Sequence, residues 1–228
     1  MKKNFIFIFF SLFMLLFFVT DAVYVQAQIE EPEVLRTDRS RTPLTEGLLN
    51  GLGFNVLVNN FGFGIGGEYR RVIGPDMEAI AILRITGLRD ASEQTFTDVF
   101  FGQQVIPNKF KRAFAFPFML GLRHRLFARA VEDNFRFFVN GSFGPAAAFA
   151  YPYFDDRNNN GFRERFIDNF EPVNDIFSGL GQGDWHFGFA GELSVSIDFG
   201  ANFANISTLR FGYFFYNFPS GIQMMQPN

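Results

Sequence analysis

The stretch NFRFFVNGSFGPAAAFAYPY, residues 134–153, alternates between large apolar side chains and small or polar ones. Its odd positions carry mostly Phe and Tyr, and its even positions carry mostly Gly, Ala, Ser and Asn, with Phe138 as the exception. Successive side chains of a β-strand point to opposite faces of the sheet. The stretch therefore predicts one strand with an aromatic face and a small or polar face, much longer than the usual ~5–6 residues.

The same alternation recurs in six further stretches of the chain. These predicted strands are 48–58, 61–72, 77–88, 112–126, 184–198 and 207–218. Tilted strands that cross a membrane need about 9–11 residues, which most of these stretches provide. Single-chain bacterial barrels have an even number of strands. We therefore expect an eighth strand, at Phe162–Phe170 or, as a second candidate, at Thr95–Val105.

The composition favours a barrel whose aromatic side chains face outward. The chain has 36 Phe and 22 Gly among its 228 residues. A soluble core of this size draws mainly on Leu, Ile and Val. The absence of cysteine excludes disulfides, thiolate metal sites and a cysteine nucleophile. The net charge of −3 gives no basic field for nucleic acid, so no nucleic-acid partner is expected.

The first residues predict a secretory signal peptide, 1–27. Lys2 and Lys3 precede an apolar run of about 15 residues, and Val25-Gln26-Ala27 fits a cleavage site. The run is short for a spanning helix, although an uncleaved N-terminal anchor is the alternative. We expect a flexible leader at 28–46, a barrel domain at 47–218 and a C-terminal tail at 219–228.

Together these observations predict an all-β fold, a transmembrane antiparallel up-and-down β-barrel of about eight strands. Only helices and closed barrels satisfy every backbone group in lipid. We expect both ends of the barrel domain in the periplasm, with 171–183 as a periplasmic connection and 89–111 and 154–161 outside. The alternative is a soluble sandwich or lipocalin-like barrel, in which the aromatic face would point inward.

The chain resembles the small outer-membrane β-barrel proteins, the class that includes the OmpA barrel and OmpX. The resemblance covers residues 47–218. It depends on the signal peptide and on the strands GFGIGGEYRR (62–71), AFPFMLGLRHRLF (115–127) and LRFGYFFYNF (209–218). It implies the outer membrane of a Gram-negative envelope as the location. The implied partners are outer-membrane lipid and the barrel-assembly machinery. It identifies an architecture and not a function.

The polar faces of the predicted strands carry charges that would meet inside the barrel. The predicted lumen charges are Glu68, Arg70, Arg84, Arg123, Arg125, Arg136, Glu192 and Arg210, accompanied by Glu78, Asp198 and His186. Because eight strands enclose just enough space for side chains, we expect arginine–carboxylate pairs that plug the lumen. A small porin-like channel through these charges is the alternative. On this basis Glu192→Ala should be destabilising, whereas Glu93→Ala should be neutral.

The sequence DDRNNNGFRE (155–164) is the local stretch that most resembles a known ligand-binding motif. Asp156, Asn158, Asn160 and Gly161 match positions 1, 3, 5 and 6 of a calcium loop, but position 12 is Ile167 where Glu is required. The alternative is an Asn/Asp/Gly turn that needs no metal. We therefore assign no cofactor, with Ca²⁺ as the weak candidate.

The chain offers little for catalysis. Its histidines are His124 and His186, and no serine stands out beside them, so we assign no catalytic residues and expect no enzyme. The connection 89–111 carries Phe96, Val99, Phe100 and Phe101, and exposed apolar loops can bind partners. We expect a plugged barrel with a structural or surface-binding role, through an extracellular or envelope protein partner. A small channel and an outer-membrane lipid-modifying enzyme are the alternatives.

Overall fold

The structure, a computed structural model, describes residues 41–97, 102, 104–128, 130–131, 134–166 and 168–226. The predicted signal peptide and residues 28–40 of the predicted leader lie outside the described residues, as do Val99, Phe100, Phe101 and Ile167. The rest of the predicted leader, 41–46, forms a turn that includes a short 3-10 helix, Leu44–Glu46.

Within the described residues, seven long strands form one antiparallel sheet that curls into a half-barrel. They are β1 (Asn50–Asn59), β2 (Gly62–Val72), β3 (Met77–Leu88), β6 (Lys111–Leu126), β7 (Phe135–Pro152), β10 (Asp184–Phe199) and β11 (Ser207–Asn217), in that spatial order. Each strand pairs with the next long strand of the chain, and the strand bounds lie close to those predicted. The prediction of an all-β, antiparallel, up-and-down sheet is confirmed.

Two small hairpins and one short helix lie in the long connections. The first hairpin joins β4 (Phe96–Thr97) to β5 (Gln104–Val105), and the second joins β8 (Arg165–Phe166) to β9 (Asn169–Phe170). The helix Ile176–Gly179 begins at Asp175, whose carboxylate accepts a hydrogen bond from the Ser178 N–H. Among the described residues, no helix has the length and apolar composition needed to cross a membrane.

Neither candidate for an eighth sheet strand is correct within the described residues. β7 pairs directly with β10, from Asp184↔Ala150 to Phe199↔Phe135, which leaves no place for 162–170 between them. The charges of 162–170 explain this result, because they fall on both alternating faces of that stretch: Arg163, Glu164, Arg165 and Asp168. A strand of the main sheet has an apolar face and a polar face, and 162–170 has no apolar face to offer. The second candidate, 95–105, folds on itself as the β4–β5 hairpin.

The odd number of strands separates the two ends of the barrel domain. We call the end that carries the described residues of 60–61, 89–110, 153–183 and 218–226 the loop end. The end that carries the described residues of 41–49, 73–76, 127–134 and 200–206 is the turn end. The chain enters β1 at the turn end and leaves β11 at the loop end, because an odd number of alternating strands must finish opposite its start. The expectation that 171–183 and the end of the last strand share the end of β1 is therefore wrong.

The pleat of the strands sorts the side chains between the two faces of the curled sheet. The convex face carries the aromatic and aliphatic residues, of which Leu52 is 88% exposed, Phe187 71% and Tyr213 73%. The concave face buries Ile82, Met119 and their neighbours Ile80, Ala146 and Ala190, against which Phe214, Tyr216 and Phe218 pack. The interior therefore holds mainly small and aliphatic side chains, and most phenylalanines of the seven long strands lie on the convex face.

Small residues let the strands approach closely on the concave side. A Cβ atom at Gly144 of β7 would lie 2.1 Å from the Phe118 carbonyl oxygen of β6. No atom lies within 4 Å of a Cβ at Gly141, three residues earlier on the convex face. Only the first position requires glycine for packing.

We predict that Gly144→Ala lowers the free energy of unfolding by about 1–3 kcal/mol, since the new methyl group must push β6 away from β7. Gly141→Ala is the matched control on the same strand and should leave stability nearly unchanged. Denaturant titration of the purified variants measures both values. Equal midpoints would contradict the close packing of β6 and β7.

Candidate functional site

The structure places all eight predicted lumen charges on the concave face and brings six of them into one network. On β2, Arg70 Nε lies 2.6 Å from Glu68 Oε1. The same guanidinium reaches across to β10, where Arg70 Nη1 lies 3.3 Å from Asp198 Oδ2, and it donates to Thr208 Oγ1 on β11 at 3.1 Å. These contacts join one side of the sheet to the other.

Asp198 is the acidic centre of the turn-end half of the network. Arg123 of β6 donates to its Oδ1 at 2.9 Å, and Thr208 donates to the same oxygen at 2.7 Å. Arg123 is fully buried, lies 3.3 Å from Glu78 Oε2, and stacks on the Phe138 ring at 3.9 Å. Phe138, the exception in the alternation of β7, therefore has a role as the surface on which this guanidinium rests.

Glu192 and Arg210 extend the network toward the loop end. Arg84 of β3 donates to Glu192 Oε2 at 2.6 Å. Arg210 of β11 lies 3.4 Å from Glu192 Oε1 and 2.7 Å from Glu68 Oε2, which closes the network back onto β2. Four arginines thus meet four carboxylates, and their formal charges cancel. Burial in a protein interior favours such mutual compensation, because an unpaired charge there is costly.

The other two predicted lumen charges hold the turn end. Arg125 Nη1 donates to the Arg41 carbonyl at 2.8 Å, and Arg136 Nη1 donates to the Gly200 carbonyl at 3.1 Å. Arg136 also stacks on the Phe203 ring at 4.4 Å. These arginines tie the segment before β1 and the β10–β11 turn across that end of the half-barrel.

Sequence reasoning assigned no role to a layer of uncharged polar groups beside the network. Asn140 of β7 donates to Ser196 Oγ at 3.0 Å, and Ser194 donates to Glu192 Oε1 at 2.8 Å. In the sequence, these residues fall on the polar face of the alternating strands, and this position alone could have indicated that they lie beside the charges. Ser194 thereby gives the buried Glu192 carboxylate a further hydrogen bond, while Asn140 and Ser196 bond each other.

Glycines on β1 and β2 make room for the charged side chains. Gly51 and Gly53 of β1 stand opposite Arg70 and Glu68 in the register and leave the space beside them free of side chains. A Cβ at Gly66 would lie only 2.6 Å from Arg84 Cγ. The glycine-rich strands therefore accommodate the long side chains that cross the concave face.

The network borders an opening between the two edge strands. Within the described residues, β1 and β11 pair with their inner neighbours and not with each other. The opening has a volume of about 1090 Å³, and Glu68, Arg70, Arg84, Glu192 and Arg210 form part of its lining. The edge strands run in the same direction, since both begin at the turn end.

The residues of the calcium-loop motif lie together at the loop end. Asp156 Oδ2 accepts from the Gly161 N–H at 2.8 Å, while the Asn158 and Asn160 side-chain amides each donate to Glu164 Oε1 at 3.1 Å. Both oxygens thus accept hydrogen bonds from groups of the turn itself. Among the residues that the structure describes, no three His, Cys, Asp or Glu side chains are grouped as a metal site requires.

The two histidines lie on opposite faces of the sheet. His124 is exposed on the convex face of β6, and His186 of β10 lies at the loop end, with its Nδ1 3.4 Å from Ser220 Oγ. Sequence reasoning missed this serine because it follows β11 and reaches β10 only through the turn after Phe218. His186 Nε2 is buried and makes no hydrogen bond in the described part of the chain, so no carboxylate orients the ring as a catalytic triad requires.

Comparison with known proteins gives this chain no relative: no protein-family model, no curated protein and no solved structure matches it. Any inference about function therefore depends on the geometry of the concave face, the convex face and the loop end.

Glu93, which the sequence suggested as a neutral position, is buried and paired. Its carboxylate lies 2.8 Å from Lys109 Nζ and 3.5 Å from Arg89 Nε, and its side chain is 1% exposed. Nearby, hydrogen bonds from Ser92 hold the pKa of Asp90 below its usual range. Glu93→Ala is thus expected to destabilise the loop end, contrary to the sequence-based prediction. An exposed carboxylate such as Asp184 is the better control.

We predict that Glu192→Ala lowers the free energy of unfolding by about 3–5 kcal/mol, because Arg84 is left buried without its carboxylate. Asp184→Ala, which removes a 65% exposed side chain paired with Lys111, should change stability little. Denaturant midpoints of the two variants and of the parent chain measure the difference. A Glu192→Ala midpoint as high as that of Asp184→Ala would contradict the proposed role of the network in stability.

Proposed function

We propose that this chain is an outer-membrane β-barrel protein with a plugged lumen, and that its convex face contacts lipid. The distribution of charge between the two faces carries the proposal. Along the convex positions of the long strands, acidic and basic side chains occur only near strand ends, at Arg71, Arg112 and His124, whereas the concave face carries the whole network, with Glu68, Arg84, Arg123, Glu192 and Asp198 buried. A soluble protein rarely exposes so large a continuous apolar surface.

Aromatic residues near both ends of the strands support the same placement. At the loop end, the Trp185 ring lies 5.8 Å from Phe116 and 5.1 Å from Phe149, measured between ring centroids. At the turn end, Phe135 lies 5.5 Å from Phe199. Phe135 and Phe149 are fourteen positions apart on β7. At about 3.4 Å per residue and a tilt of about 40°, this gives roughly 36 Å, close to the spacing of two aromatic girdles about a hydrocarbon core.

The paired charges support a plugged lumen over an open channel. Arg70, Arg210 and Arg84 each reach across the concave face to a carboxylate on another strand, so their side chains occupy the space that a solute would need. A barrel of about eight strands has little room beyond its own side chains.

The loop end supports a structural or surface-binding role rather than one in the lumen. Its two long connections expose large apolar side chains, of which Phe96 is 53% exposed, Phe162 60% and Phe177 82%. Aromatic side chains of this kind are common anchors in protein interfaces. We place the binding surface of the protein at this end.

Closure of the barrel follows from the lipid environment in this proposal. An open strand edge is not tolerated in hydrocarbon, because its backbone groups would stay unsatisfied. The contacts Arg210–Glu68 and Arg70–Thr208 already connect β11 to β2, on either side of β1. We propose that β1 and β11 meet side by side in parallel orientation, with Leu52 beside Leu209.

We call this proposed contact between β1 and β11 the seam. Because the chain has no native cysteine, engineered cysteine pairs can test the seam directly. In the Leu52→Cys/Leu209→Cys variant, oxidation should form an intramolecular disulfide. Neighbouring strands bring facing Cα atoms within the roughly 4.4–6.8 Å separation that a disulfide needs. Leu52→Cys/Leu83→Cys, which joins β1 to its second neighbour β3, is the control that should stay reduced. Mobility on non-reducing gels gives the readout, and equal yields from the two pairs would contradict the seam.

The membrane location is tested at an exposed position in mid-strand. Leu193 of β10 is 66% exposed on the convex face, so a soluble protein would tolerate arginine there. In a bilayer, Leu193→Arg should cost about 2–4 kcal/mol and lower the fraction of protein that refolds into phosphatidylcholine vesicles. Ser92→Arg, in the connection after β3, is the control and should refold like the parent chain. Unchanged refolding of Leu193→Arg would contradict the lipid contact.

A further inference from the structure

After β11 the chain turns back across the loop end instead of leaving it. Gly221 N donates to the Phe218 carbonyl at 2.9 Å, with Gly221 in the left-handed region at φ +65°. From there residues 219–226, which we call the tail segment, lead to residues 108–111, which include the first residue of β6. The sequence predicted a C-terminal tail at 219–228, and the described part of this segment, 219–226, contacts the barrel domain.

The end of the tail segment pairs with 108–111 through backbone hydrogen bonds and one isolated β-bridge. The Met224 carbonyl accepts from the Phe110 N–H at 2.9 Å and from the Lys111 N–H at 3.1 Å. Gln226 N donates to the Asn108 carbonyl at 2.8 Å, and Lys109 and Met225 form an antiparallel bridge. The backbone of 108–111 thus offers donors and an acceptor to an extended segment.

Residues 108–111 belong to a small ladder of backbone hydrogen bonds at the loop end. Tyr153 N donates to the Phe110 carbonyl at 2.9 Å, and Asn174 N donates to the Tyr153 carbonyl at 3.0 Å. The tail segment therefore occupies the outer position of a ladder whose other members are fixed by the ends of β6 and β7. Its removal would leave that ladder in place with a free edge.

The side chains of the tail segment alternate between a pocket and solvent. Met224 is 6% exposed and packs against Ala113 and Ala150, which are 3% and 0% exposed. Ile222, two residues earlier, packs on the same cluster together with Leu88, while Gln223 between them is exposed. Residues 219–228, PSGIQMMQPN, carry no charged side chain.

We propose that the edge 108–111 and the pocket lined by Ala113, Ala150 and Leu88 form a peptide-binding groove, and that the tail segment occupies it in cis as a built-in competitor. The ligand is an extended, uncharged peptide segment with two large apolar side chains two residues apart. Added strands of this kind gain affinity from main-chain hydrogen bonds and specificity from pockets for alternate side chains. The inference gives a ligand class to the binding role proposed for the loop end and rests on that role, but it does not require the membrane location.

Peptide binding to the purified full chain in detergent micelles tests the groove. The probe is a fluorescent peptide of sequence PSGIQMMQPN, and the readout is fluorescence polarisation. The full-length Met224→Ser variant, in which the competitor is weakened, should bind the probe at least tenfold more tightly than the parent chain. A chain that ends at Phe218 should bind it saturably with 1:1 stoichiometry. A probe with aspartate at the position of Met224 should bind at least tenfold more weakly to both.

Three outcomes would overturn the proposal. The first is no saturable binding to either variant, although both keep the β-rich circular dichroism of the parent chain. The second is equal affinity of the parent chain and of Met224→Ser, which would show that the tail segment does not compete. The third is equal binding of the two probes. Because refolding of Leu193→Arg into vesicles is read without the peptide, failure of the groove and failure of the membrane placement are distinguished.

Discussion

The curl of this sheet depends on ion pairs that cross its concave face. Arg70 joins β2 to Asp198 on β10, Arg84 joins β3 to Glu192, and Arg210 joins β11 back to Glu68. In a flat sheet these side chains would be too far apart to meet, and each would leave a charge without its partner. The curvature therefore lets four arginines and four carboxylates compensate one another on the concave face.

This constraint explains the composition of the chain. Long charged side chains can fill a narrow interior only if the residues around them are small, and Gly51, Gly53 and Gly66 stand beside the arginines and glutamates that cross it. Once the interior holds guanidinium groups and glycines, it has little space for phenylalanine. Nearly all phenylalanines of the seven long strands lie at convex positions, with Phe138 and Phe214 as the concave exceptions. Abundant Phe and abundant Gly are two consequences of one arrangement.

Periodicity predicted the long strands and their faces because each is fixed by local alternation. Even Arg123 and Glu192, far apart in the chain, could be assigned to a common face from their positions alone. The remaining features depend on contacts that no local pattern contains. Glu93 is buried because Lys109 folds over it, and 162–170 stays out of the sheet because β7 and β10 pair without a gap. The contact of Ser220 with His186 requires the turn after β11, which alternation within strands cannot reveal.

The odd strand number connects the architecture to the loop end. With seven strands, the chain leaves the sheet beside the two long connections and not beside the start of β1. A segment that leaves there can reach the backbone of 108–111, and the tail segment does so, with Met224 buried over Ala113 and Ala150. An eighth strand would have carried the same residues to the turn end, where Arg125 and Arg136 already hold other segments. The groove and its occupant thus lie at the same end because the strand count is odd.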